Sequence, residues 1–397
     1  MRVLSLSTLF PSPAKPGFGK FVASQMMAVA ARGDVELVMV NPLGVPPWPL
    51  SRAGAYAALA DCPAESELGG VPVLHPRFRL IPKWGATGNP GRIARAVLPM
   101  VRRMHAERPF DLVDAQFFFP DGPAAMAVAR ALGLPFTVKA RGSDIHYWAT
   151  RPAALRQLRA AAAASAGMLS VSDALKRDMV ALGFPGERIR VHYTGLDHAK
   201  FRVVERIEAK SRLPGLLGLA LPGGARLLVC PGALIAIKGQ ALAIRALQNV
   251  AGAHLALAGT GPDEAGLRGL AAELGLAERV HFLGQVSHAV LPVLMAAADV
   301  VVLPSEREGL ANVWIEALAC GAPLVIPDIG GAREVVVDAS AGRIARREPG
   351  AIALAVRELL MQPVAQAAVA AHAGRFSWEN NAGELVGFWG GVVLESR

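Results

Sequence analysis

LPSEREGLANVWIEALACGAPLVIP, residues 303–327, is the stretch on which the fold turns. It follows the apolar run Val300-Val301-Val302 and breaks at Pro304-Ser305. A polar loop, Glu306-Arg307-Glu308-Gly309, then leads into a helical pattern near Asn312. Asn is a good N-cap, because its side chain accepts a free backbone N–H of the first turn, so Asn312 is expected to cap this helix. Gly321-Ala322-Pro323 stops it, and Leu324-Val325-Ile326 reads as another buried strand. The unit is therefore strand, loop, helix, strand. Two carboxylates ride on it, Glu308 in the loop and Glu316 about one turn into the helix, with seven residues between them. Free N–H groups and the positive dipole end at the helix start, Gly309, Leu310, Ala311 and Asn312, attract phosphate. That suits a nucleoside diphosphate with one carboxylate on each side of it. Taken alone, the two glutamates read more readily as solvated surface charges, and it is the whole strand–loop–helix context that reverses this.

The Glu spacing and the ending Ala319-Cys320-Gly321-Ala322-Pro323 resemble the donor-site motif of the retaining glycosyltransferases of family 4. The resemblance implies that Glu308 contacts the donor sugar and that Glu316 holds the ribose hydroxyls. It also implies the GT-B fold, two facing doubly wound Rossmann-like α/β domains with the donor in the cleft between them.

A chain of 397 residues exceeds one ordinary core and suggests two domains. The hydrophobic content, 53%, is spread over short runs, and none reaches the ~18 apolar residues of a spanning helix. Val3-Leu4-Ser5-Leu6-Ser7 is too short for a signal peptide and reads as a first strand. Cys62, Cys230 and Cys320 are scattered and odd in number, which fits a reducing cytoplasm better than a disulfide framework. Residues 1–204 hold 25 Lys+Arg against 14 Asp+Glu, and residues 205–397 hold 16 against 18. The basic excess thus belongs to the first half. It points to an anionic partner there, or to a solubilising bias.

Strands alternate with helices along the first half, at residues 2–7, 35–40, 71–74, 112–115, 136–140, 168–171 and 189–193. Helices are expected at 20–31, 91–107, 121–132, 152–166 and 173–182, with Asp121 and Ser172 as caps and Gly133 as a stop. Pro99 should kink or divide the second of these. Residues 42–70 are rich in Pro, Gly and Ala and resist assignment. Charge followed by Pro and Gly over 202–225 reads as a linker, after which alternation resumes. The expected domains are 1–204, joined by a terminal helix over 377–397, and 205–376. Repeated alternation means parallel sheets covered on both faces.

Further candidates lie in loops that follow strands. Gly17 and Gly19 precede the first helix and allow close backbone approach to phosphate; an ordinary turn explains them as well. Pro231 to Gly239 resembles the family's phosphate-clamping loop. Gly232, Lys238 and Gly239 match it, while Ala233 stands where the family usually has Arg. The missing guanidinium needs compensation, for which Lys20 and Arg141 are candidates. Arg141 and Asp144 close a first-half strand where the family commonly shows His-Gly-x-Asp. Arg is no base near neutral pH, so Arg141 is expected to bind phosphate, with a structural salt bridge to Asp144 as the alternative. Gly259 opens the loop that the resemblance puts near the nucleotide. The stripe Ile93, Val97, Val101 and Met104, with Arg92, Arg95, Arg102 and Arg103 nearby, reads as a packed helix with a basic outer face, or as a membrane-surface helix.

The expected activity is transfer of a hexose from a UDP- or GDP-sugar to a glycan or lipid-linked acceptor, with retention, in cell-surface polysaccharide or glycoconjugate synthesis. Glu308 and Lys238 are the expected catalytic residues, with no metal and no cofactor. The basic first domain would bind an anionic acceptor, with possible contact to an acidic membrane from the cytoplasmic side and no nucleic acid. The alternatives are a nucleotide-sugar epimerase or phosphorylase on the same fold, or a non-catalytic nucleotide-sugar binding protein.

Overall fold

The computed structural model describes residues 1–82 and 85–396. The chain forms two units, Met1–Gly195 with the last helix Trp378–Glu395, and Leu196–Ser377. The division thus falls at 195/196 and 377/378, where the sequence suggested 204/205 and 376/377. The cause is local. Leu196 bridges Ser377, His198 Nε2 donates to the Phe376 carbonyl (3.0 Å), and Phe201 is buried. These contacts hold the segment after Gly195 to the second unit. Of the expected terminal segment, Arg397 lies outside the described residues.

The first unit is built on eight strands in the order Ile189–Val191, Gly167–Ser170, Phe136–Ala140, Leu112–Ala115, Arg2–Leu6, Glu36–Val40, Val71–Leu74, Glu65–Leu68. Every pair is parallel except the last. Residues 42–70, unassigned from sequence, supply that edge strand, the helix Ala55–Ala60, and a short strand Leu43–Val45 that pairs with Arg77–Arg79. The helix Asn89–Glu107 runs through Pro99 as one element. Proline there forfeits one hydrogen bond, but Ile93, Val97 and Val101 are buried on both sides of it and hold the two halves in place. Asp121 opens its helix without capping it; its Oδ2 accepts the Thr8 N–H instead (2.8 Å). Ser172 does cap, accepting the Leu175 N–H at 3.0 Å.

The last helix is keyed to this sheet by polar contacts as well as by Leu385, Phe388 and Trp389. Trp389 Nε1 donates to Asp114 Oδ1 (3.1 Å), whose carboxylate also accepts from Ser5, Gln116 and Thr137. His192 Nε2 donates to the Asn381 carbonyl (2.9 Å), which leaves Nδ1 to accept from Lys139 Nζ (2.9 Å). Burial pulls Lys139 and His192 well below their usual ranges, which favours the uncharged form of each more than water would.

The second unit holds a six-stranded, all-parallel sheet in the order Val280–Phe282, Ala253–Ala258, Arg226–Pro231, Val300–Val302, Leu324–Ile326, Gly342–Ile344. Half of the supposed linker is the helix Arg206–Leu217. Glu205 caps it by accepting the Glu208 N–H (2.9 Å), Ala209 and Leu213 are buried, and Lys210 Nζ pairs with Asp299 at 2.7 Å. Tertiary burial here overrides the Pro and Gly signal. Strand order reverses between Arg226–Pro231 and Val300–Val302, and ligands of open parallel sheets bind outside the carboxyl ends at such a point. Among the described residues no helix is long and apolar enough to cross a membrane.

Candidate functional site

At the reversal point of the second sheet two loops meet. The first leaves Pro231, passes Gly232, makes the short turn Ala236–Lys238 and reaches Gly239. The second leaves Val302 and runs through Pro304 to Leu310 before the helix Asn312–Ala319. Gly239 is left-handed (φ 72°), and a Cβ there would lie 2.3 Å from the Pro304 carbonyl oxygen, so only glycine lets the loops touch. The Glu306 N–H donates to the Ile237 carbonyl (2.7 Å) across the same seam. Gly259 brings up a third loop: a Cβ on it would stand 2.0 Å from the Gly232 carbonyl oxygen. Gly309 lies in the second loop, where its carbonyl accepts the Gly331 N–H at 2.7 Å.

This seam brings Lys238 and Glu308 together. Lys238 Nζ donates to Glu308 Oε1 at 2.5 Å, with the side chains 28% and 15% exposed. A partly desolvated ion pair at a strand-end crevice can exchange one partner for a ligand of the same sign. Asn312 is not the cap expected of it. The helix has Ala311 at its N-cap, with no side-chain capping bond, and Asn312 is its first residue. The N–H groups of the first turn are therefore not consumed by a side chain at that cap. Leu310 is buried, and Ala311 and Asn312 are half-buried.

Glu316 is half-buried on this helix. Desolvation raises its carboxyl to about 7, against the opposing pull of Lys200. Lys200 escaped the sequence reading because only the return of the chain after Gly195 brings it near Glu316. Arg347 escaped it too. It follows the strand Gly342–Ile344, so its place at a carboxyl strand end was legible, but its contact was not: Arg347 Nε donates to the Pro304 carbonyl at 3.0 Å.

The remaining expected residues lie in the first unit. Gly19 is left-handed (φ 69°) and buried against the Leu9 carbonyl, just ahead of the helix Lys20–Ala31; Gly17 and Lys20 are exposed. Arg141 is not salt-bridged to Asp144 through its side chain. Its Nε donates to the Gln116 carbonyl (2.7 Å) and its Nη2 to Gln116 Oε1 (2.6 Å) and Gln25 Oε1 (2.8 Å). Burial lowers the guanidinium to about 10, so it stays charged at neutral pH. Asp144 is fully buried, and burial raises its pKa. It accepts the backbone N–H groups of Phe118 (2.7 Å), Arg141 (2.9 Å) and Gly142 (2.8 Å). These bonds use the Asp144 carboxylate to shape the loop after the strand Phe136–Ala140. A hollow lined by Arg2, Glu36, Arg108 and Asp111 opens at the opposite, amino-terminal ends of the same strands. Its Arg2–Glu36 and Arg108–Glu36 pairs satisfy one another.

Two family models match the chain, Glycosyltransferase Family 4 over residues 13–200 and Glycosyl transferases group 1 over residues 218–375. The chain is similar to the putative teichuronic acid biosynthesis glycosyltransferase TuaC of Bacillus subtilis (strain 168), with 29% identity over 83% of this chain and 82% of that protein. It is 34% identical to the D-inositol 3-phosphate glycosyltransferase of Mycobacterium tuberculosis (strain F11) over 54% of this chain and 46% of that protein, so that match spans less than half of the relative's length. The solved structure of Anabaena Alr3699/HepE in complex with UDP superposes with a TM-score of 0.75 over 98% of this chain and all of that one, at 22% identity, a likeness of fold. With one glycosyltransferase model on each half, and the two α/β sheets described above beneath them, the chain belongs to the family 4, group 1 glycosyltransferases of GT-B fold.

Proposed function

We propose that this glycosyltransferase moves a hexosyl group from a nucleoside-diphosphate sugar to a hydroxyl of an anionic or lipid-linked glycan, with retention of anomeric configuration and without a metal. The observation that carries the reading is the Lys238–Glu308 pair at the reversal point of the second sheet. A diphosphate arriving there takes over the Lys238 ammonium, which frees Glu308 for the sugar. Lys238 and the N–H groups at the uncapped start of the helix Asn312–Ala319 then stabilise the negative charge that develops on the departing diphosphate, commonly the largest electrostatic contribution in such chemistry. Glu316 accepts from the ribose hydroxyls. HepE, solved with UDP and with UDP-glucose, supports a nucleotide-sugar donor, and TuaC supports a place in polysaccharide synthesis. Arg95, Arg102 and Arg103, exposed on the helix Asn89–Glu107, suit an anionic acceptor on the first unit.

The test is calorimetric titration with UDP, GDP and ADP, followed by turnover with the matching nucleotide sugar. One nucleoside diphosphate should bind, and Lys238→Met should weaken it about tenfold or more, the scale of a charge-assisted hydrogen bond. NMR of the product should show the donor's anomeric configuration. Absence of diphosphate binding, or equal affinity in Lys238→Met, would overturn the reading.

A further inference from the structure

Lys238 is the cation of the proposed donor site, yet Glu308 already balances it at 2.5 Å. A diphosphate carries more than one negative charge, so an unbalanced cation is needed at the same place. The arginines carried by the neighbouring loops do not supply one. Arg307 pairs with Glu306 (3.5 Å), Arg333 with Asp328 (2.7 Å) and Arg346 with Glu348 (3.6 Å). Arg343 pairs with Glu358 at 3.0 Å.

Arg347 differs from all of these. It is half-buried, and among the described residues it has no carboxylate partner. Its hydrogen bond among the described residues runs from Nε to the Pro304 carbonyl oxygen (3.0 Å), and none of these residues supplies an acceptor to the two terminal nitrogens of the guanidinium. The Pro304 oxygen is the same atom against which Gly239 is pressed, directly after Lys238. Arg347 is therefore anchored by its neck to the seam between the two loops, with a planar pair of donors still available. Its backbone comes off the carboxyl end of the strand Gly342–Ile344, where the Ala345 N–H still donates to the Ile326 carbonyl (2.9 Å). Ala233, exposed in the loop after Pro231, brings no charge to the seam. Arg141, the other guanidinium considered for the task, is committed to Gln116 and Gln25.

We infer that Arg347 is the second phosphate-binding cation of the donor site, its fork of N–H donors holding the terminal phosphate of the nucleoside diphosphate. Guanidinium suits this role because it binds a phosphate through two parallel bonds and keeps its charge at any working pH. The inference rests on the donor reading proposed above.

The test compares wild type with Arg347→Gln, which keeps a donor for the Pro304 carbonyl and removes the charge. Each is titrated calorimetrically with the nucleoside diphosphate that binds best and with the corresponding monophosphate. Arg347→Gln should bind the diphosphate about tenfold more weakly or worse and the monophosphate within about twofold. Arg347→Lys, which retains the charge, should recover most of the loss, and its behaviour decides the matter should Arg347→Gln not fold. Unchanged diphosphate affinity would overturn the inference. So would an equal loss for both nucleotides, which would make Arg347 only a prop for the loop. If wild type binds no nucleoside diphosphate, the donor reading fails. If wild type binds and Lys238→Met is impaired while Arg347→Gln is not, this inference alone fails.

Discussion

Glu316→Gln should stabilise the ligand-free protein above neutral pH. Glu316 is half-buried between Ile315 and Ala317, which are fully buried, and its carboxylate makes no hydrogen bond among the described residues. Desolvation raises its pKa from 4.5 to about 7, with Lys200 pulling the other way. A raised acid holds its proton more tightly in the folded chain than in the unfolded one. Below pH 4.5 both states are protonated and no penalty exists. Between 4.5 and about 7 the unfolded chain ionises first, so stability falls as pH rises, and above 7 the penalty is complete. At ~1.4 kcal/mol per pKa unit this is about 2–3 kcal/mol, allowing for the part of the side chain that water reaches. Glutamine keeps the shape and cannot ionise. The assay is urea unfolding of both proteins in steps from about pH 4.5 to 8.5. The two stability curves should meet at the acid end, separate through neutrality, and differ by about 2–3 kcal/mol at the alkaline end. Asp114, Asp121 and Asp144 are raised by burial too, but they tilt both curves alike and cancel in the difference. A gap that is constant with pH would mean that packing, not charge, separates the variants. No gap at pH 8.5 would refute the argument.

Gly239→Ala should cost roughly 2 kcal/mol or more, from left-handed backbone strain plus the collision with the Pro304 carbonyl, and should weaken nucleoside diphosphate binding with it. Gly17→Ala is the control: nothing lies within 4 Å of the added methyl, and unfolding in denaturant should shift by no more than about 0.5 kcal/mol. Trp389→Phe should cost about 1–3 kcal/mol, because it removes one of the four donors that satisfy the buried Asp114 carboxylate. Thermal unfolding that matches wild type would show that the terminal helix is held by its apolar face alone.

Most strands and helices were legible because their signals are local. Buried parallel strands read as short apolar runs between turn residues. Gly133 stops its helix in the left-handed conformation, and Ser172 caps the next but two, both on the strength of the few residues around them. Residues 42–70, left unassigned, and 202–225, read as a linker, are those where Pro and Gly spoke against structure that distant partners impose. The helix Arg206–Leu217 survives Pro214 because Ala209 and Leu213 find a core and Lys210 finds Asp299, 89 positions away. Asn312 was misplaced by a single residue at a helix start, the least certain part of any such reading.

The amino-acid sequence by itself determined that the chain is a pair of parallel α/β units, that Glu308 and Lys238 fall in loops at carboxyl strand ends and that Glu316 rides on the helix that follows, because these follow from hydrophobic period and turn chemistry within a few residues. Only the tertiary structure decided which of those ends meet. It set Lys238 against Glu308 across 70 positions, committed Arg141 to two glutamines, buried Asp144, and left Arg347 on the Pro304 carbonyl without a carboxylate. Burial and charge pairing are properties of neighbours in space, and a linear pattern carries no record of them.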